Sequence, residues 1–134
     1  MAKIASIEGI GPTYGAKLGE IGIDTTEQLL ERGATPKGRK DIEESTSISG
    51  KLVLEWINRA DLFRIRGVQE EYSDLLEASG VDTVPELAQR NAENLYERLV
   101  AVNAEKRLVR RLPSRNQVAD WVEQAKGMER VVSY

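Results

Sequence analysis

The 134-residue chain has no cysteine and no histidine. Without cysteine there are no disulfides and no thiolate metal sites. Without histidine the commonest general base near neutral pH and the commonest metal ligand are missing. Ser-His and Cys-His nucleophilic sites and ordinary zinc sites are therefore excluded. Carboxylate chemistry stays open, but no carboxylate pair and no glycine-rich nucleotide loop stands out. We expect a protein that is not an enzyme and has no cofactor and no metal site.

The chain also lacks a long hydrophobic run and a basic excess. No stretch approaches the roughly 20 apolar residues that a membrane span needs. The N-terminal "MAKIASIEGI" has no signal core followed by a cleavage site, so we expect a cytoplasmic protein without a membrane partner. The net charge of −3 argues against tight, nonspecific coating of DNA, because such binding relies on an excess of lysine and arginine. A local basic patch is still compatible with it.

No segment alternates apolar and polar residues as a strand would, so we expect an all-α fold. Apolar spacing predicts one helix directly after Gly11, and Asp24 or Thr25 as the cap of the next. Ser47 or Ser49 is expected to cap the helix that contains Trp56. The further helices are predicted at 26–33, 36–46, 49–63, 70–79, 84–90, 92–111 with a break, and 115–126.

The sequence contains an internal repeat. Residues 7–29, "IEGIGPTYGAKLGEIGIDTTEQL", align without a gap with residues 65–87, "IRGVQEEYSDLLEASGVDTVPEL". A second agreement joins "SGKLVLEWINRA" to "SRNQVADWVEQA", with extra residues in the middle of the second copy. We infer one unit that was duplicated, with a first unit at 1–60 and a second at 61–134.

The segment Ile7-Glu8-Gly9-Ile10-Gly11-Pro12, closed by Gly22-Ile23, resembles the helix-hairpin-helix motif of DNA repair, recombination and replication proteins. The resemblance implies two tandem five-helix-type units packed as one compact body, with degenerate second hairpins at "TSISGK" and "RRLPSRN". The chain also resembles, over nearly its whole length, a bacterial family of duplicated helix-hairpin-helix proteins with no assigned function. The segments "ASGVDTVPELA" and "VADWVEQAK" carry that second resemblance.

Two explanations fit the glycines of the first hairpin. A tight turn needs positive φ, which glycine permits, so the glycines serve close helix packing. Alternatively, the amides of Gly9, Ile10, Gly11 and Thr13 approach a phosphate at the positive end of the following helix. Lys17 and Lys51 would then assist. The resemblance further implies that the carbonyls of Ile7, Gly9 and Gly11 could hold an alkali ion, while Glu8 would repel an anion.

Basic residues cluster near the end of the chain. Lys106, Arg107, Arg110, Arg111 and Arg115 have no acid among them, and the spacing of Arg107, Arg110 and Arg111 predicts one shared helix face. The alternative is a solvated face that pairs with acids such as Glu93, Glu97 and Glu105. A smaller group comprises Lys37, Arg39 and Lys40.

The second copy departs from the first at its hairpin. Gln69, Glu70 and Glu71 replace Gly11, Pro12 and Thr13, and two carboxylates at a helix N-terminus oppose a phosphate. We expect the hairpin at Gly67 to be structural, and both Trp56 and Trp121 to lie in the core. Tyr14 and Tyr72 are expected to pack against the core rather than stack on bases.

The expected function is non-enzymatic binding of DNA, or of RNA, through phosphates with little sequence preference. The alternative is a protein-protein interaction or scaffold module that has lost phosphate binding. The sequence makes no prediction of the oligomeric state or of the pathway.

Overall fold

A computed structural model describes residues 3–7 and 9–134, and over these residues the fold is all-α, as expected. A short 3₁₀ turn at Ile4–Ser6 precedes the helices, and the described residues form no strand beyond an isolated bridge between Lys3 and Thr25. The described residues contain eight α-helices: α1 (Pro12–Glu20), α2 (Thr26–Arg32), α3 (Pro36–Thr46), α4 (Gly50–Leu62), α5 (Glu70–Ala78), α6 (Val84–Ala88), α7 (Ala92–Lys106) and α8 (Arg115–Lys126).

Most of these helices begin at a side chain that accepts a hydrogen bond from the first turn. Thr25 and Ser114 form full capping boxes with Gln28 and Gln117, which satisfy two otherwise unpaired amides each. The remaining caps are Thr35 for α3, Thr83 for α6 and Asn91 for α7. Ser49 caps α4 by accepting from the Leu52 amide at 3.3 Å. Helix starts are therefore set locally by short polar residues.

The chain folds into two compact units, each with its own core. The first contains the described residues up to Asp61 together with Arg130–Tyr134, and the second is Leu62–Glu129. In the first unit the fully buried side chains include Leu18, Ile23, Leu29, Val53 and Ile57. In the second they include Leu76, Val81, Leu87, Leu99 and Val118. Trp56 and Trp121 are 2% and 1% exposed, which confirms the prediction that they belong to the core.

The aligned positions of the two units share backbone geometry. Gly9 and Gly67 have φ of 94° and 95°, and Gly22 and Gly80 have φ of 85° and 92°. After Gly22, the Ile23 amide donates back to the Leu18 carbonyl at 2.9 Å, and the aligned bond from Val81 to Leu76 is also 2.9 Å. These bonds end α1 and α5 with a glycine beyond the last turn.

Helix α7 ends inside the segment predicted as helix. The sequence predicts helix over 92–111 with a possible break, and in the structure α7 ends at Lys106 and Arg107 takes the left-handed conformation with φ of 51°. Asn103 explains the break, because its side chain donates to the Val109 carbonyl at 3.1 Å and accepts from the Val109 amide at 3.0 Å. Val109 is 6% exposed, so burial and this paired contact replace the next helical turn. Arg107, Arg110 and Arg111 therefore do not share a helix face.

The last residues of the chain group with the first unit, whereas the sequence-based division assigned all of 61–134 to the second. The Ser133 amide donates to the Ala34 carbonyl at 2.8 Å, and Val132 is 2% exposed. Arg39 donates to the Ser133 carbonyl at 2.6 Å. The contacts of these residues therefore hold them in the first unit. Among the described helices, none combines the length and the apolar character needed to cross a bilayer.

Candidate nucleic-acid interface

Two buried side chains fix the first hairpin, residues 7–13, to the core of its unit. Ile7 and Ile10 are 1% and 5% exposed, and the Ile10 amide donates to the Ile7 carbonyl at 3.1 Å. Gly9, Gly11 and Thr13 lie at the surface. Among the predicted residues, Ile10 is therefore buried, whereas Gly9, Gly11 and Thr13 belong to an exposed stretch of backbone.

No side chain caps the N-terminus of α1. Its N-cap residue is Gly11, and no side chain accepts a hydrogen bond there. The Gly15 amide donates to the Gly11 carbonyl at 2.8 Å, while the amides of Thr13 and Tyr14 have no acceptor among the described residues. Helix N-termini with free amides and no acidic neighbour attract anions, and the first turn of α1 contains no acidic residue.

Gly11 has no steric or conformational need to be glycine. Its φ is −84°, and a Cβ built at this position would meet nothing within 4 Å. Gly9 differs, because its φ of 94° disfavours other residues. Backbone conformation therefore accounts for Gly9, whereas at Gly11 the missing side chain leaves the exposed backbone open to a ligand.

The second hairpin, residues 65–71, repeats the backbone with different chemistry. The Val68 amide donates to the Ile65 carbonyl at 3.1 Å, matching the first hairpin. Gln69 is the N-cap of α5 without a side-chain bond, and the exposed Glu70 and Glu71 occupy its first turn. Two carboxylates at the positive end of a helix repel phosphate, so the first turn of α5 is less suited to an anion than that of α1.

The hairpin glycines lie close to the two tryptophans. The Trp56 indole nitrogen is 3.6 Å from the position of a Cβ on Gly9, and the Trp121 nitrogen is 3.0 Å from that on Gly67. Tyr72 packs against Trp121 and donates from its hydroxyl to the Arg111 carbonyl at 3.0 Å. Tyr14 and Tyr72 are half-buried, and both pack on a core tryptophan, which agrees with the packing expectation.

The two lysines expected to help the first hairpin lie on different helices. Lys17 is half-buried in the last turn of α1, about one helical turn from Thr13. Lys51 is exposed at the start of α4. Neither forms a salt bridge with a described residue, so both charges are available to an anion. Glu8, expected to oppose one, lies outside the described residues.

The basic loop, residues 107–114, presents exposed cations on a fixed backbone. Beyond the Asn103 contacts, burial of Pro113 and the bond from Tyr72 to the Arg111 carbonyl hold the loop. The exposed cations at or beside it are Lys106, Arg107, Arg110 and Arg111. None of these four forms a salt bridge with a described residue. The loop therefore carries uncompensated positive charge.

Arg115 behaves differently from the rest of its predicted cluster. Its guanidinium forms a salt bridge with Glu93 and lies 4.8 Å from the centroid of the Tyr96 ring. Pairing with Glu93 was the alternative for the cluster as a whole, and the structure shows it for this arginine. The interaction leaves Arg115 less available to a phosphate than its neighbours.

The smaller basic group is also split. Lys37 and Lys40 are exposed, but Arg39 donates to the carbonyls of Gly33 and Ser133 at 2.8 and 2.6 Å. Burial lowers the pKa of Arg39, and the nearby Tyr134 acts in the opposite direction. Arg39 is thus an internal contact of the first unit.

Asn103 is the residue of the region that sequence reasoning missed. It lies within a continuous helical pattern, and only its paired contact with Val109 reveals its role in shaping the basic loop. A polar residue before a non-helical, basic, proline-containing segment is the one available signal, and it is weak. Within the described part of the chain, no group of three or more acidic side chains is placed to hold a metal ion.

The structure thus defines an all-helical protein with an open helix N-terminus in one unit and a basic loop in the other. The chain belongs to the family described as a domain of unknown function, DUF4332, which it matches over residues 8–128. No curated protein and no solved structure matches the chain.

Proposed function

We propose that this protein binds DNA without catalysis, through phosphates and with little sequence preference. We further propose that its units are two duplicated helix-hairpin-helix units, of which the first keeps a phosphate-binding hairpin. The resemblance of 7–23 to that motif and the shared backbone geometry of the aligned glycines support the second statement.

The observation that carries the DNA proposal is the open N-terminus of α1. Gly11 supplies no capping side chain, and neither backbone conformation nor packing requires a glycine at this position. A phosphate oxygen placed there would accept from the free amides of Thr13 and Tyr14. Such contacts position a protein on the backbone and carry no base information, which accounts for low sequence preference.

The basic loop supplies the second source of attraction. The four cations at or beside it, which form no salt bridge with a described residue, would release counterions from DNA, so binding should weaken as salt rises. The net charge of −3 limits affinity, because most of the surface contributes no attraction. We therefore expect modest, salt-dependent binding.

The test is fluorescence anisotropy of labelled single-stranded, duplex and nicked DNA at low and moderate salt. The key variant carries Gly11→Gln, Pro12→Glu and Thr13→Glu, which transfers the second hairpin's residues into the first. Because Gln69, Glu70 and Glu71 already occupy the same backbone geometry, this variant should fold. We expect affinity to fall at least about tenfold, the equivalent of one charge-assisted hydrogen bond.

The matched control changes Lys40→Gln and Ser45→Glu, which alters net charge by the same amount on exposed positions of α3. It should retain affinity within about twofold, since neither residue belongs to the first hairpin or the basic loop and exposed charges outside the contact are screened at moderate salt. Equal binding by the transplant variant and the parent protein would remove the hairpin from the proposal. No binding at low salt would overturn the DNA function itself.

A second candidate is a protein-interaction module. The observation that favours it is the second hairpin, which keeps the fold with Glu70 and Glu71 where a phosphate would sit. Fold and site separate readily in evolution. If DNA binding is absent, affinity capture with the intact chain becomes the test of this candidate.

A further inference from the structure

Residues 130–134 are non-helical and belong to the first unit. They contact Ala34 in the turn from α2 to α3, Arg39 on α3 and Asn58 on α4, and Arg39 also holds the Gly33 carbonyl. We call Gly33, Ala34, Arg39 and Asn58 the groove. The Ser133 amide donates to the Ala34 carbonyl at 2.8 Å, and the Ser133 hydroxyl donates to it at 3.2 Å. Arg39 links the segment to the groove, because it donates to the Gly33 carbonyl of the groove and to the Ser133 carbonyl of the segment.

Side chains add selectivity to this backbone pairing. Val132 is 2% exposed, so its side chain is almost entirely removed from solvent. The Tyr134 hydroxyl donates to the Asn58 side-chain oxygen at 2.7 Å. The guanidinium of Arg39 lies 5.6 Å from the centroid of the Tyr134 ring, within cation-π range. The groove thus holds an aliphatic residue, then a serine whose hydroxyl adds a second bond to Ala34, then an aromatic residue.

We infer that this groove is a peptide-binding site, filled here by the chain's own residues 130–134, and that the same segment of a second copy can fill it in trans. The contacts are those of a docked peptide: backbone hydrogen bonds for affinity and alternate side chains for specificity. The segment follows Gly127 and non-helical residues after α8. It can therefore leave its own groove without the unfolding of a helix. Occupation in cis wins at low concentration because the attached segment has a high effective concentration.

The test uses backbone amide NMR shifts of a variant that ends at Glu129 and therefore has an empty groove. The first probe is a synthetic peptide with the sequence of residues 128–134. We expect saturable shifts centred on Gly33, Ala34, Arg39 and Asn58. The intact protein should respond at least about tenfold more weakly, since its own segment competes. A peptide with Val132→Asp and Tyr134→Ala is the matched control and should give no shifts.

The second probe is an unlabelled full-length chain with Arg39→Met and Asn58→Ala, which keeps the segment and disables its own groove. Added to the labelled truncated chain, it should shift the same amides as the peptide does. If the truncated chain does not fold, Ser133→Pro replaces it, because Ser133 is exposed and proline removes both the amide and the hydroxyl that donate to the Ala34 carbonyl.

Two results would overturn the inference. One is the absence of groove shifts up to millimolar peptide in a folded variant. The other is a response to the control peptide equal to that of the native sequence. Shifts caused by the peptide but not by the second chain would overturn exchange between copies.

Discussion

The ring of Tyr14 meets the indole of Trp56 edge-on, with 5.2 Å between their centroids. The aligned rings of Tyr72 and Trp121 are 5.3 Å apart. In each unit, therefore, the first helix after the hairpin is joined to the last helix by an aromatic pair beneath the hairpin glycine. Edge-to-face pairs of this kind add about 0.5–1.5 kcal/mol beyond burial.

Replacing the hairpin glycines should destabilise the protein unequally. Gly9→Ala places a Cβ at positive φ and should cost about 1–2 kcal/mol. Gly67→Ala should cost more, since its Cβ would also lie 3.0 Å from the Trp121 nitrogen, against 3.6 Å from Trp56 in the other unit. Urea unfolding gives the free energies. Gly11→Ala, in open space, is the control and should cost less than about 1 kcal/mol; a larger loss for it than for Gly67→Ala would contradict the argument.

Gly38→Ala should destabilise a helix that alanine would normally favour. In an exposed helix interior, Gly→Ala gains up to about 1 kcal/mol. Here the new Cβ would collide with the carbonyl oxygen of Arg32, a backbone atom that cannot move aside. We expect a loss of about 1–3 kcal/mol, typical of overpacking. Gly15→Ala in α1 is the matched control because its Cβ would lie 4.0 Å from Ile10, and thermal unfolding should show a gain or no change.

Asn103 should control the order of the basic loop. Asn103→Ala removes both hydrogen bonds to the largely buried Val109 and should cost about 1–3 kcal/mol. Amide exchange at Val109 should accelerate in this variant. Asn103→Asp keeps the acceptor for the Val109 amide but loses the donor to its carbonyl. Amide exchange at Val109 should therefore lie between the rates of the parent protein and of Asn103→Ala. Unchanged exchange in both variants would show that burial alone holds the loop.

Arginines of the basic loop should differ in their effect on DNA affinity. Arg110→Ala and Arg111→Ala should each reduce the slope of log affinity against log salt by about 1, as expected for the loss of a phosphate contact. Arg115→Ala should reduce it less, because Arg115 is paired with Glu93 and lies over Tyr96. Salt titrations by anisotropy measure the slopes. Equal slopes for all three variants would show that the cluster acts only through net charge.

The sequence predicts the start of a helix better than its end in this protein. Helix α3 was predicted at 36–46 despite Gly38, and it spans Pro36–Thr46, because Thr35 and Pro36 mark its beginning locally. For 92–111 the sequence predicted helix with a possible break but did not place the break, and α7 stops at Lys106. That stop depends on Asn103 reaching Val109 and on a buried Val109. Such contacts are not visible in periodicity.

The sequence singled out the candidate residues, but it did not distinguish their structural roles, because these too depend on tertiary contacts. Gly9 and Gly11 were singled out together, yet their roles differ: one has positive φ and the other stands in open space. The basic cluster was predicted as a unit, yet the structure sets Arg115 apart and divides Arg39 from its neighbours. Charge can be counted along a sequence, but pairing depends on which side chains tertiary structure brings together.

The sequence by itself determined the all-helical class, the helix starts and the turns at the aligned glycines, because caps, apolar spacing and glycine conformation act over a few neighbouring residues. Only the tertiary structure decided which charges remain unpaired, where α7 stops and where Val132 is buried. Those outcomes depend on contacts between residues far apart in the chain, such as Tyr72 with Arg111 and Arg39 with Ser133. Burial and hydrogen bonding at such contacts outweigh local helix preference.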